Sequence, residues 1–78
     1  MKPQIKSEID NYVTHHRQPC GFLEAVLQND LTQSFARADD DNFRDMLEIV
    51  TYVWNQIPRN AWGSVEKYNA WISKERTP

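Results

Sequence analysis

The sequence holds one cysteine, Cys20, so no disulfide can form within the chain. Its two histidines, His15 and His16, are adjacent, and no Cys/His set has the spacing of zinc ligands. No apolar run exceeds a few residues, which excludes a transmembrane helix. Met1-Lys2-Pro3-Gln4 leads straight into a charged segment with no signal-peptide apolar region, so the expected location is the cytoplasm. There is no excess of positive charge: nine Lys and Arg against eleven Asp and Glu give a net charge of −2. A nucleic-acid reader usually carries a strongly basic patch, so nucleic acid is not the expected partner. No segment alternates apolar and polar residues with a period of two, so no sheet is expected. Only Gly21, Gly63 and four prolines punctuate the chain.

What is present is a single small domain spanning residues 1–78. Forty per cent of its residues are hydrophobic and 12% are aromatic, which fits a globular protein rather than a disordered one. A chain this short buries only roughly 60% of the surface its unfolded form exposes, so its core is marginal. Without a disulfide or metal to help, the remaining devices are efficient aromatic packing and oligomerisation. Three Trp, three Tyr and three Phe supply the first and invite the second.

Hydrophobic periodicity predicts an all-α bundle of four to five short helices. Ile5, Ile9, Tyr12 and Val13 form the apolar face of a first helix over residues 4–16, ended before Pro19. Phe22, Leu23, Val26 and Leu27 line a second segment beginning at Cys20 or Gly21. Asn29-Asp30 suits a break or kink, with Asp30 able to cap a further piece carrying Leu31, Phe35 and Ala36, while the steps Leu23, Leu27, Leu31 and Phe35 equally suit one continuous helix. The acidic run Asp39-Asp40-Asp41 suits the start of a third helix, over residues 41–56. That helix carries Phe43, Met46, Leu47, Ile49, Val50, Val53 and Trp54, with Ile57 following. The set fills more than half a helical wheel, so this reads as the central helix: either the surrounding helices bury it on two sides, or part of the apolar arc forms a partner surface. Ser64 caps a last helix, over residues 65–74, with Val65, Tyr68 or Asn69, and Ile72 inward and Trp71 adjoining. Residues 75–78 are expected to fray.

No catalytic, cofactor or metal site is apparent. Adjacent helical histidines point about 100° apart and do not clamp a metal, so they read as cations at a helix C-terminus. The Asp39–Asp41 run lacks the alternate ligands, Gly and bidentate Glu of a calcium loop. The serines have no nucleophile-elbow context, and Cys20 reads as a buried structural thiol. The most site-like stretch is Arg59-Asn60-Ala61-Trp62-Gly63-Ser64 with Lys67. A capped helix start with Trp62 over the core explains it, and so does an anion site using the helix N-terminus. Arg17, Arg37, Arg59, Ser64 and Lys67 are the candidate anion ligands. Trp, Tyr and Arg carry most interface energy, which makes Tyr52, Trp54, Trp62, Trp71, Arg44 and Arg59 candidate protein-interface anchors.

The chain resembles a family of small helical proteins encoded in phage and prophage genomes. The resemblance rests on Tyr12, on Arg17-Gln18-Pro19-Cys20-Gly21-Phe22-Leu23-Glu24-Ala25-Val26-Leu27-Gln28-Asn29-Asp30-Leu31 and on Arg37-Ala38-Asp39. It continues through Asn42, Ile49-Val50-Thr51-Tyr52, Pro58, Trp62-Gly63-Ser64 and Trp71. Cys20 departs from the pattern, standing between a proline and a glycine that are often adjacent in the family. No activity is attached to the family. The resemblance implies an accessory role of the kind phage proteins this small commonly play: blocking a host enzyme, antagonising a defence system or sequestering a small signal.

The expected function is therefore stoichiometric binding to a protein partner, with a second copy of the chain among the candidates. A small anionic ligand such as a nucleotide is the alternative, and a nucleic-acid-associated regulator ranks third. The last helix offers only Lys67 and Lys74, and the central one only Arg44, as basic side chains for a groove. The protein should therefore pass through a DNA column unretained at low salt; retention that salt abolishes would restore the regulator reading.

Overall fold

The computed structural model describes residues 1–74. Among these, six α-helices follow one another: α1 Pro3–His15, α2 Gly21–Leu27, α3 Leu31–Arg37, α4 Asp40–Arg44, α5 Met46–Gln56 and α6 Val65–Ser73. A 3₁₀ turn, Arg59–Ala61, joins α5 to α6, and no strand occurs among the described residues. The all-α architecture matches the periodicity. The count exceeds the four to five helices expected, and the expected fraying at residues 75–78 lies outside the described residues. The radius of gyration is 11.7 Å, against about 11.5 Å for a compact domain of this length.

Local chemistry sets the boundaries. Pro3 takes a first-turn position of α1, where its missing N–H costs nothing. His16 ends the helix in the left-handed region, at φ 56°, and its imidazole Nδ1 lies 3.0 Å from the Trp71 carbonyl. Asn29, at φ 61°, closes α2, and the Asp30 carboxylate then caps α3 by accepting from Gln33 N–H at 3.0 Å. Asp39 caps α4 in the same way, accepting from Asn42 N–H at 2.8 Å. Ser64 caps α6 through Lys67 N–H at 3.1 Å. Each cap satisfies a donor that the helix itself cannot.

The single central helix expected over 41–56 is two. Asp45, at φ −88° and ψ 6°, leaves helical geometry between α4 and α5. Its carboxylate turns to the Met1 ammonium, 3.6 Å away, which also donates to Glu48. Cys20 is exposed, not buried. It precedes α2 in extended backbone, where its N–H donates to the Glu8 carboxylate at 2.9 Å.

The core gathers around Tyr12, which is fully buried. Its ring stacks on Tyr68 at 5.6 Å and 11° and leans on Trp71 at 6.4 Å. Its hydroxyl donates to the Ala61 carbonyl, and its own carbonyl accepts from the Trp71 indole N–H at 2.8 Å. Around this knot pack Ile5 and Ile9 of α1, Phe22, Leu23, Val26 and Leu27 of α2, and Met46, Ile49 and Val53 of α5. Gly63 ties the loop to α2 by donating to the Leu27 carbonyl at 2.8 Å. Its φ of 114° lies where only glycine is unstrained. Tyr52 ties α5 to α1 through a 2.6 Å hydroxyl contact with Asp10. Ser34, rather than Leu31 or Phe35, is the buried residue of α3, and Val65 of α6 is exposed.

Burial pushes both core tyrosine hydroxyls up, Tyr68 to about 12 with the nearby Glu24 charge adding to the effect. An acid whose folded value is raised stabilises the fold fully below its unfolded value and loses that contribution as pH climbs between the two. The melting temperature should therefore hold up to about pH 10 and fall above it as tyrosinate absorbance appears in step with unfolding. Tyrosinate from Tyr12 or Tyr68, separated from that of Tyr52 by Tyr52→Phe, titrating at pH 10 in a still-folded chain would contradict the burial.

Candidate functional site

The eight apolar side chains of the 43–57 stretch divide into two sets of four. Met46, Ile49, Val53 and Ile57 are buried, while Phe43, Leu47, Val50 and Trp54 are exposed. Counted at about 100° per residue through the stretch, the two sets lie about 85° apart, side by side rather than opposite, with Phe43 on α4 across the Asp45 break. Burial on two sides is thus corrected, and the exposed half of the arc is the part that the alternative leaves as surface. The bundle is thin, 39 × 23 × 20 Å, and among the described residues the second stripe meets neighbours only at its edges and stays exposed.

Leu31 and Phe35 of α3 extend this stripe into a face. Phe35 and Phe43 meet edge to face, with ring centroids 5.4 Å apart. Leu47 is 81% exposed, Leu31 72% and Trp54 65%. Trp54 in turn meets Trp62 edge to face at 6.0 Å. Between α3 and α5 a narrow cleft of about 100 Å³ is lined by Leu31, Ser34, Met46, Val50, Val53 and Trp62 among others. It shares Asn29, Val50 and Trp62 with a wider groove of about 520 Å³ that Trp54, Arg59, Gly63 and Lys67 also line.

The candidate anchors divide accordingly. Trp54, Trp62 and Arg59 come together at one end of the face. Arg44 stands at the other, beside Asp40 and Phe43, where Asp41 holds its guanidinium at 2.7 Å. Trp71 is not an anchor. It is buried, its indole N–H is committed to Tyr12, and Lys74 sits 4.1 Å from its ring centroid. Tyr52 is half-buried off the stripe with its hydroxyl on Asp10, whose carboxyl is held below the usual range by the contact with Lys6 and then by Tyr52.

The candidate anion ligands do not converge as a set. Arg59 and Lys67 share the groove, but the Ser64 hydroxyl is occupied as the cap of α6. Arg37 instead donates to the Gly21 carbonyl at 3.0 Å, and Arg17 lies in the exposed loop after α1. Among the described residues no cluster of His, Cys, Asp and Glu is placed to hold a metal ion, and no helix is long and apolar enough to cross a membrane.

Choosing anchors by residue type overlooked Leu31, Phe35, Phe43, Leu47 and Val50. The signal for three of them was present: Phe43, Leu47, Val50 and Trp54 recur at steps of four, three and four. No protein-family model, curated protein or solved structure matches this chain.

The division of the helix predicts opposite outcomes two residues apart. Ile49→Ala should cost about 3 kcal/mol by leaving a cavity, whereas Leu47→Ala should change stability by less than about 0.5 kcal/mol. Urea unfolding of the two variants checks this, and comparable losses would mean that Leu47 is covered.

Proposed function

We propose that this chain is a non-enzymatic, phage-type accessory protein that acts in the cytoplasm by stoichiometric binding of another protein chain on the face formed by α3, α4 and α5. One observation carries the reading: a contiguous run of Leu31, Phe35, Phe43, Leu47, Val50 and Trp54 faces solvent in a chain that can ill spare apolar side chains from its core. Monomers rarely expose apolar patches larger than a few hundred Å² without using them. The cluster of Trp54, Trp62 and Arg59 supplies residue types that dominate binding energy. The resemblance to phage proteins adds the class of target, a host enzyme or a defence component.

A second reading is supported by the groove beside that cluster. Arg59 and Lys67 flank two indole rings there, a composition that suits an anion attached to a flat ring. Saturating ligand would stabilise the fold by mass action, so a nucleotide panel in a thermal-shift assay separates the two readings.

For the protein-binding reading, tagged wild-type chain should retain a partner from host lysate at a fixed ratio. Leu47→Glu should release it with no loss of melting temperature. Capture that survives both Leu47→Glu and Trp54→Ala would place the contact elsewhere on the molecule and sink the assignment of this face.

A further inference from the structure

We infer that the chain occupying this face is a second copy of the protein, docked antiparallel about a two-fold axis. The inference rests on the reading of the face as a protein-docking surface and names its occupant. Three features carry it.

The first is register. Phe43 of α4 and Leu47, Val50 and Trp54 of α5 follow the four-three-four spacing of a helix-pairing seam, carried across Asp45 by backbone hydrogen bonds from Asp45 to Asp41 and from Ile49 to Asp45. A two-fold axis between Glu48 and Ile49 maps Phe43 onto Trp54 and Leu47 onto Val50. Every exposed apolar side chain of the seam then meets another, and the stripe is its own complement, as a two-fold interface requires.

The second is charge. Asp40 stands beside Phe43 at one end of the seam, while Arg59 and Lys67 stand beside Trp54 at the other. Arg44 at the acidic end is already paired with Asp41, whereas Asp40, Arg59 and Lys67 have no ion pair among the described residues. Antiparallel docking brings Asp40 of each copy to the Arg59–Lys67 end of the other; parallel docking sets like charges together. The axis repeats each contact twice.

The third is area. The exposed fractions of Leu31, Phe35, Phe43, Leu47, Val50 and Trp54 amount to roughly 700 Å² of side chain, close to the ~800 Å² per partner that a standard interface buries. One face against its copy is therefore enough for a specific dimer. A foreign protein at this face would compete with the second copy, so the two complexes are mutually exclusive.

Sedimentation equilibrium from roughly 10 μM to 1 mM, the range of weak, exchanging dimers, should show a species of twice the 9.2 kDa chain mass. Leu47→Glu, at an exposed position, should give a monomer with an unchanged circular dichroism spectrum. Asp40→Lys or Arg59→Glu alone should each weaken association about tenfold, because the axis doubles each repulsion, and the two together should restore it. Failure of the double variant to recover overturns the antiparallel arrangement. A wild-type monomer throughout the range overturns the inference. In that case, lysate capture sensitive to Leu47→Glu keeps the docking face and removes only the second copy, whereas absence of capture removes both.

Discussion

Tyr12 is the constraint on which the rest of the molecule depends. Its ring, hydroxyl and backbone carbonyl each bind a different part of the C-terminal half: Tyr68, Ala61 and Trp71. One residue of α1 therefore fixes the 3₁₀ turn and α6 together. With no disulfide and no metal, such a small domain gains order by making a few large side chains serve several contacts at once. The arrangement also pairs two polar atoms that would be costly to bury alone, the Tyr12 O–H and the Trp71 N–H both ending on carbonyls, while the Tyr68 hydroxyl is buried without a partner among the described residues.

That knot has a consequence for the outer face. With α1, α2 and α6 gathered round Tyr12, the inner stripe of α5 is covered, but no element is left for the outer one. Phe43, Leu47, Val50 and Trp54 stay in water beside Leu31 and Phe35. The two stripes adjoin on one side of the helix, so a single neighbouring layer covers one and leaves the other at its edge. The exposed face is thus the remainder of a packing problem with too few helices, and the proposed association between chains would complete it.

The groove at the basic end belongs to the same geometry. Gly63 at φ 114° turns the chain so that Trp62 lies over the edge of the core and Ser64 caps α6. Arg59 and Lys67 are brought together by that turn. Their proximity therefore owes as much to helix capping as to any ligand, and in the proposed dimer the partner's acidic end would supply their counter-charge.

Much was determined by the amino-acid sequence alone. The periodicity of three and four, without any period of two, dictates an all-α fold. Asp30, Asp39 and Ser64 announce their helix starts because a short polar side chain satisfies the orphan N–H groups wherever the rest of the chain lies. At Asn29-Asp30 the same chemistry suited a break, but the apolar spacing equally suited a continuous helix, and the left-handed Asn29 decides for the break. Other features were not legible. Asp45 interrupts the central helix with its carboxylate turned to the Met1 ammonium, a residue distant in sequence. Trp71 and Trp54 look alike as residues, yet one fills the knot round Tyr12 and the other lies in solvent, because hydrophobicity does not say how many neighbours a fold supplies. The wide apolar arc of α5 was visible from spacing, but only the tertiary structure decided which half was core. Burial depends on what packs against a side chain, and that is a property of all the helices together.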